Sequence, residues 1–150
     1  MKGHKLTQKD ALKFIFAGNS TFTVENTKTG NRFTFKVKIS KTPGFYFVSV
    51  LTSPDTYSYI GIIVNGLFTW GKKSHISENA QSVKVFQYVI DKLKSQSLPE
   101  FVEVWHEGRC GKCGKTLTVP SSIQNGLGPE CIKTLSRQSK RDKFLELILS

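Results

Sequence analysis

Three cysteines and a histidine in the last third of the chain carry the chemistry most easily read from residue type and spacing. Cys110 and Cys113 stand in the run Cys110-Gly111-Lys112-Cys113-Gly114. At that spacing two thiolates reach one ion, and the glycines let the backbone turn tightly around the sulfurs. Cys131 follows Gly128-Pro129-Glu130. A proline suits the first position of a helix, so the third sulfur is expected in a first helical turn, near the positive end of the dipole, where a thiolate is favoured. Three sulfurs leave a tetrahedral zinc ion one ligand short, and His106, four residues before Cys110, is the expected fourth. Glu107 and Glu130 are weaker candidates because they offer hard oxygens, while His4 and His75 belong to another part of the chain. A shell closed by four protein groups makes the ion structural, since a catalytic zinc keeps one position open; water in place of His106 would reopen the question of hydrolysis.

Other chemistry finds little support. The three histidines have no serine or carboxylate at a motif spacing, and Asp10, Glu25 and Asp55 are scattered, so no enzymatic activity is expected. Three cysteines, two of them close together, suit metal binding in a reducing compartment better than a disulfide framework. The start of the chain is basic and polar and leads into no apolar signal core. The apolar runs fall far short of the roughly 20 residues that a membrane span needs, so a cytoplasmic protein with no membrane partner is expected.

The elements that must position these residues follow from periodicity. Thr7, with Asp10 three residues later, caps an amphipathic helix expected at about 8–17 and stopped by Gly18. From Thr21 the period changes to two. Phe22 and Val24, then Phe33, Phe35, Val37 and Ile39, alternate with Arg32, Thr34, Lys36 and Lys38, which predicts a hairpin with a wet, basic face. Strands follow at 45–52, 57–64 and 67–70, the last pair joined by Asn65-Gly66. A helix is expected at about 78–94, with Ser77 as cap and Val83, Phe86, Ile90 and Leu93 on one stripe. The fold class is therefore α+β: an antiparallel sheet of about five strands packed with one or two helices, followed by a small zinc module. Pro99 suggests a boundary between a body at 1–98 and a module at 99–150. That module is entered by a short strand at 101–105 and ends in a helix continuing from near Pro129 to the C-terminus.

The run Trp105-His106-Glu107-Gly108-Arg109-Cys110-Gly111-Lys112-Cys113-Gly114, continued by Gly126-Leu127-Gly128-Pro129-Glu130-Cys131, resembles a phage-associated, zinc-ribbon-like domain of unknown function. The preceding body also looks like N-terminal regions found with that module in bacteriophage and prophage proteins. The resemblance implies one structural zinc on His106, Cys110, Cys113 and Cys131, a viral origin and a host-cell cytoplasmic setting; it implies no activity.

The net charge of +11 points to a polyanionic partner. Residues 1–41 carry nine Lys or Arg against two acids, and residues 101–150 carry eight against five. The expected function is that of a small accessory protein binding nucleic acid or a nucleoprotein complex. Lys28, Arg32, Lys36, Lys38 and Lys41 supply cations on and beside the hairpin, and Arg109, Lys112 and Lys115 supply them around the ion. Tyr46, Tyr57 and Tyr59 are available to stack bases. The alternative is a phage-encoded inhibitor that binds a host defence complex, such as a CRISPR effector, through direct protein contact.

Overall fold

The computed structural model describes residues 3–149. Strand β1 (His4–Leu6) leads into helix α1 (Gln8–Ile15), where the Asp10 amide donates to Thr7 Oγ1 at 3.2 Å, the expected cap. The helix closes two residues sooner than the periodicity predicts. The Phe16 and Ala17 amides still donate to Leu12 and Phe14 carbonyls, so the last turn tightens rather than continues.

Five strands then run through β2 (Asn19–Asn26), β3 (Arg32–Ile39), β4 (Phe45–Ser53), β5 (Thr56–Val64) and β6 (Leu67–Trp70) as an antiparallel meander. These are the five expected strands. Helix α2 (Gln81–Lys94) begins later than expected, after Ala80. Ser77 instead organises a turn, its hydroxyl accepting from the Asn79 amide at 3.1 Å.

Strand β7 (Val102–His106) overturns the picture of a five-stranded sheet handing over to a separate module. The sheet has seven strands in the order β1-β7-β2-β3-β4-β5-β6. β7 lies between β1 and β2, with Trp105 opposite both Lys5 and Thr23. Sheet and core are therefore continuous across the expected division at 98/99.

Alternation sorts each strand into two sides. Leu6, Phe22, Val24, Phe35, Val37, Tyr46, Val48, Val50, Ile63, Phe68 and Val104 form the buried side. Against it pack Phe14 of α1 and the α2 stripe Val83, Phe86, Val89, Ile90 and Leu93. Phe86 is the hub, its ring 5.1 Å from that of Phe35, 4.8 Å from Phe68 and 6.5 Å from Phe22. The other side carries Arg32, Lys36, Lys38, Phe47 and Tyr59, of which Arg32, Lys38 and Phe47 are exposed.

After β7 the chain forms α3 (Pro120–Asn125), α4 (Pro129–Ser139) and α5 (Lys143–Leu149). A helix does start at Pro129, but the single tail helix expected from there is broken at Lys140–Asp142. Asp142, only 2% exposed, supplies the reason. Its carboxylate accepts from the Leu145 amide at 3.1 Å, capping α5, and from the Tyr46 hydroxyl at 2.9 Å, which ties the break to β4. Among the described residues no helix is long and apolar enough to cross a membrane.

Candidate metal centre

The cysteine-bearing loop is a miniature hairpin. Arg109 bridges Thr116, the Cys110 amide donates to the Lys115 carbonyl at 2.9 Å, and the Gly114 amide donates to the Cys110 carbonyl at 2.9 Å. This knuckle is sewn to the body, because Asn19 N–H donates to the Gly111 carbonyl and Gly111 N–H to the Gly126 carbonyl, both at 2.8 Å. A Cβ at Gly111 would come within 2.7 Å of the Phe14 ring, and one at Gly126, whose φ is +79°, would also run into it. Two glycines are thus required where the knuckle and the end of α3 close over Phe14.

Cys131 lies in the first turn of α4, with Pro129 at its start, as its position after Gly-Pro predicts. The folding of knuckle and α4 brings the sulfurs of Cys110, Cys113 and Cys131 within 4.8 Å of one another. Thiolates bound to one zinc at about 2.3 Å in tetrahedral geometry stand about 3.8 Å apart, so sulfurs gathered this closely are compatible with one such ion. Cys110 is buried, Cys131 half-buried and Cys113 exposed. A cavity of about 320 Å³ lies beside them, with Lys115, Thr118, Pro129 and Glu130 among its walls.

The electrostatics suit a cation. Burial opposes charging of Cys110, but amides donating to its sulfur, from Gly128 and Lys112 at 3.4 Å each and from Cys113, outweigh it and draw the thiol down to about 7. Cys131 moves oppositely, pushed up to about 12 by burial and by the neighbouring Cys110 and Cys113. Without a metal Cys110 is thus the readier thiolate and Cys131 resists ionisation; a divalent cation removes that resistance.

His106 is not among the clustered ligands. On β7 it falls on the same side as Val102 and Val104, so its ring enters the core and is fully buried. Gly108 N–H donates to Nδ1 at 3.0 Å, and Nε2 pairs with the Ile123 carbonyl. Both nitrogens are thereby engaged by backbone, in the arrangement of a neutral ring protonated at Nε2. Its ring lies 5.4 Å from Phe14 and 5.2 Å from His4. Burial lowers its pKa from the usual histidine value; the Ile123 contact works against this and His4 reinforces it. The histidine at the expected ligand spacing is thus a core residue that fastens α3 to β7. Among the described residues the cluster consists of the three cysteines.

The eight basic residues singled out by sequence are not gathered in one place. Arg32, Lys36 and Lys38 share the open sheet face, where Lys36 Nζ stands 4.5 Å over the Tyr57 ring. Lys28 sits at the β2–β3 turn with Nζ 4.1 Å from the Phe101 ring centre. Arg109 bends back to donate to the Gly114 carbonyl at 3.4 Å, and Lys115 lines the cavity by the sulfurs. Lys41 and Lys112 meet elsewhere, across a cleft that also contains Arg137 and Arg141. Those two arginines were missed, and only their spacing of four on a basic helical tail hints at a shared side. Of the three tyrosines, Tyr57 and Tyr59 are half-buried, whereas Tyr46 is core. Its hydroxyl lies 2.9 Å from Asp142 Oδ2 and 3.0 Å from the Phe16 carbonyl, and burial followed by the Asp142 charge raises its pKa.

No curated protein and no solved structure matches this chain. Residues 104–136, which span the end of β7, the knuckle, α3 and most of α4 with all three cysteines, match a family model described as a family of unknown function (DUF6011), and the match together with the cysteine cluster fits a small zinc-binding module.

Proposed function

We propose that this chain is a non-catalytic, zinc-stabilised binding protein whose ligand is nucleic acid, free or within a nucleoprotein, received on the open face of its sheet. The observation that carries this reading is the composition of that face. Arg32, Lys36 and Lys38 on β3 lie beside Phe47 on β4 and Tyr57 and Tyr59 on β5, with Phe47 46% exposed. Cations attract the phosphate chain, and rings stack on bases for about 1–3 kcal/mol each without regard to sequence. A single strand fits such a surface better than a duplex, whose bases are already stacked. Zinc has a structural part here, joining the knuckle to α4.

The test is binding of labelled single-stranded DNA, RNA and duplex DNA across a salt series. Affinity should fall steeply with salt, at a logarithmic slope of about −0.7 per neutralised phosphate for single strands. Replacing Arg32, Lys36 and Lys38 together by Ala should flatten that slope without altering the circular dichroism spectrum. No binding to any of the three at near-physiological salt would sink the reading.

A specific observation favours a second reading, direct protein binding of the kind an inhibitor of a host defence complex would use. Phe47, Val64 and Leu67 are 46%, 38% and 65% exposed, and Val64 pairs directly with Leu67 across β5 and β6. Exposed apolar groups so placed are the material of a protein interface. Co-purification of one stoichiometric protein after nuclease treatment, lost on Leu67→Asp, would replace the first reading by this one.

A further inference from the structure

A second concentration of positive charge lies at the seam between the cysteine-bearing segment and the sheet. A cleft of about 410 Å³ is bounded by the loop after β3, the knuckle and the C-terminal half of α4 with the turn that follows it. Lys41, Lys112, Arg137 and Arg141 line it from these three separate segments. Lys41, Arg137 and Arg141 are exposed. Lys112 is half-buried, with Nζ fixed 2.6 Å from Gln138 Oε1. One acid, Asp142, reaches the cleft, but it is buried and committed to the Tyr46 hydroxyl and the Leu145 amide. Among the described residues, no ion pair joins any of the four cations to a carboxylate. The fold therefore assembles like charges from distant parts of the chain and leaves them facing one space, a repulsive arrangement that an anion relieves.

The cleft lies on the core side of the sheet, where Ile39 pairs with Tyr46, and it meets the open face at the β3–β4 turn. Lys38 stands on that face opposite Phe47, and Ile39, Ser40 and Lys41, which follow it, form the cleft wall. The geometry points to a phosphate-binding channel: the backbone of a single-stranded nucleic acid runs through the cleft, held by Lys41, Lys112, Arg137 and Arg141, and passes round the β3–β4 turn at Lys41 so that its next bases reach Phe47 and Tyr59. The inference rests on the nucleic-acid reading given above and adds to it a route and two arginines. Guanidinium groups suit this part, because their planar donors grip phosphate oxygens two at a time.

The experiment compares the full chain, the triple variant Lys41→Gln, Arg137→Gln, Arg141→Gln, and the sheet-face variant Phe47→Ala, Tyr59→Ala. Each is titrated against fluorescein-labelled 15-nucleotide oligothymidylate and oligouridylate over a salt series, with metal content and circular dichroism measured in parallel. The expected result is at least a tenfold loss of affinity for the triple variant at about 150 mM salt. Its logarithmic salt slope should be shallower by about 0.7 for each phosphate contact removed. The sheet-face variant should weaken binding with its salt slope unchanged, since stacking releases no counterions. If the triple variant binds as the unaltered chain does while the sheet-face variant is impaired, the channel is wrong and the nucleic-acid reading survives. If the unaltered chain binds neither oligonucleotide, the channel and that reading fall together.

Discussion

At the scale of single residues, the sulfurs and the buried imidazole make separable predictions. Metal bound to Cys110, Cys113 and Cys131 requires deprotonated thiols, and Cys131 on its own resists losing its proton. Affinity should therefore fall as pH is lowered, and binding should release protons, measurable by calorimetry in buffers of different ionisation enthalpy. Metal analysis should find about one zinc per chain, and Cys113→Ser and Cys131→Ser should each reduce that to near zero, because structural zinc is worth about 10 kcal/mol or more and a hydroxyl does not replace a thiolate. His106 should behave otherwise. Its imidazole nitrogen shifts should report the Nε2-protonated tautomer and stay put when metal is added; a large change at either nitrogen would restore it as a ligand. Replacing it with Ala strands the Gly108 amide and the Ile123 carbonyl and leaves a hole beside Phe14, a loss of roughly 2–4 kcal/mol in denaturant unfolding. Because the folded pKa lies below the unfolded value of about 6.5, this residue's contribution is whole above that pH. It is lost as the pH falls through the folded value. The cysteine spacing was legible because ligand chemistry fixes it locally. The histidine was misplaced because spacing says nothing of which side of a strand a ring enters.

Among the elements, helix α1, the β2–β3 hairpin, β4 to β6 and the buried stripe of α2 were readable, since each announces itself through its own period and turn residues. Strand β1 was not. Three residues, His4 to Leu6, carry no pattern of their own, and their partners are Val104 to His106, about a hundred positions away. The break between α4 and α5 was hidden for a similar reason, because it depends on Asp142 reaching the Tyr46 hydroxyl. Tyr46→Phe should consequently loosen α5 first, costing about 1–3 kcal/mol for the buried carboxylate left short of a donor, with faster amide exchange over 143–149 as the specific sign. Uniform destabilisation without that local signature would count against the link. Where α3 ends, Gly126→Ala faces both a left-handed φ and the ring of Phe14, so it should destabilise by about 1–3 kcal/mol in thermal or denaturant melts. Gly30→Ala, at a left-handed turn with open space around it, should cost no more than about 1 kcal/mol and gives the comparison.

For the molecule as a whole, the expected division into a body and a zinc module gives way to one sheet whose second strand is its last in sequence. A fragment of residues 1–98 lacks β7, so β1 has no neighbour and the backbone of β2 is exposed along one edge. Such a fragment should show weak, broad melting and a tendency to self-associate, whereas 1–107 should recover the sheet signal; cooperative melting of the shorter piece would argue for an independent body. The eventual order of strands was beyond reach of local pattern, because a strand in the middle of a sheet and one at its edge read alike over five residues. The placement of β7 also sets a timetable. A ribosome delivers β2 to β6 in sequence, and these can zip up by neighbouring turns. β1, made first, must wait until some hundred further residues have emerged before its partner exists. During that interval the nascent chain exposes a ready-made strand edge, and the late insertion of β7 is the step expected to limit maturation. Replacing Val104, which meets Leu6 on one side and Val24 on the other, with Ala should therefore slow refolding more than an equally destabilising change in β5.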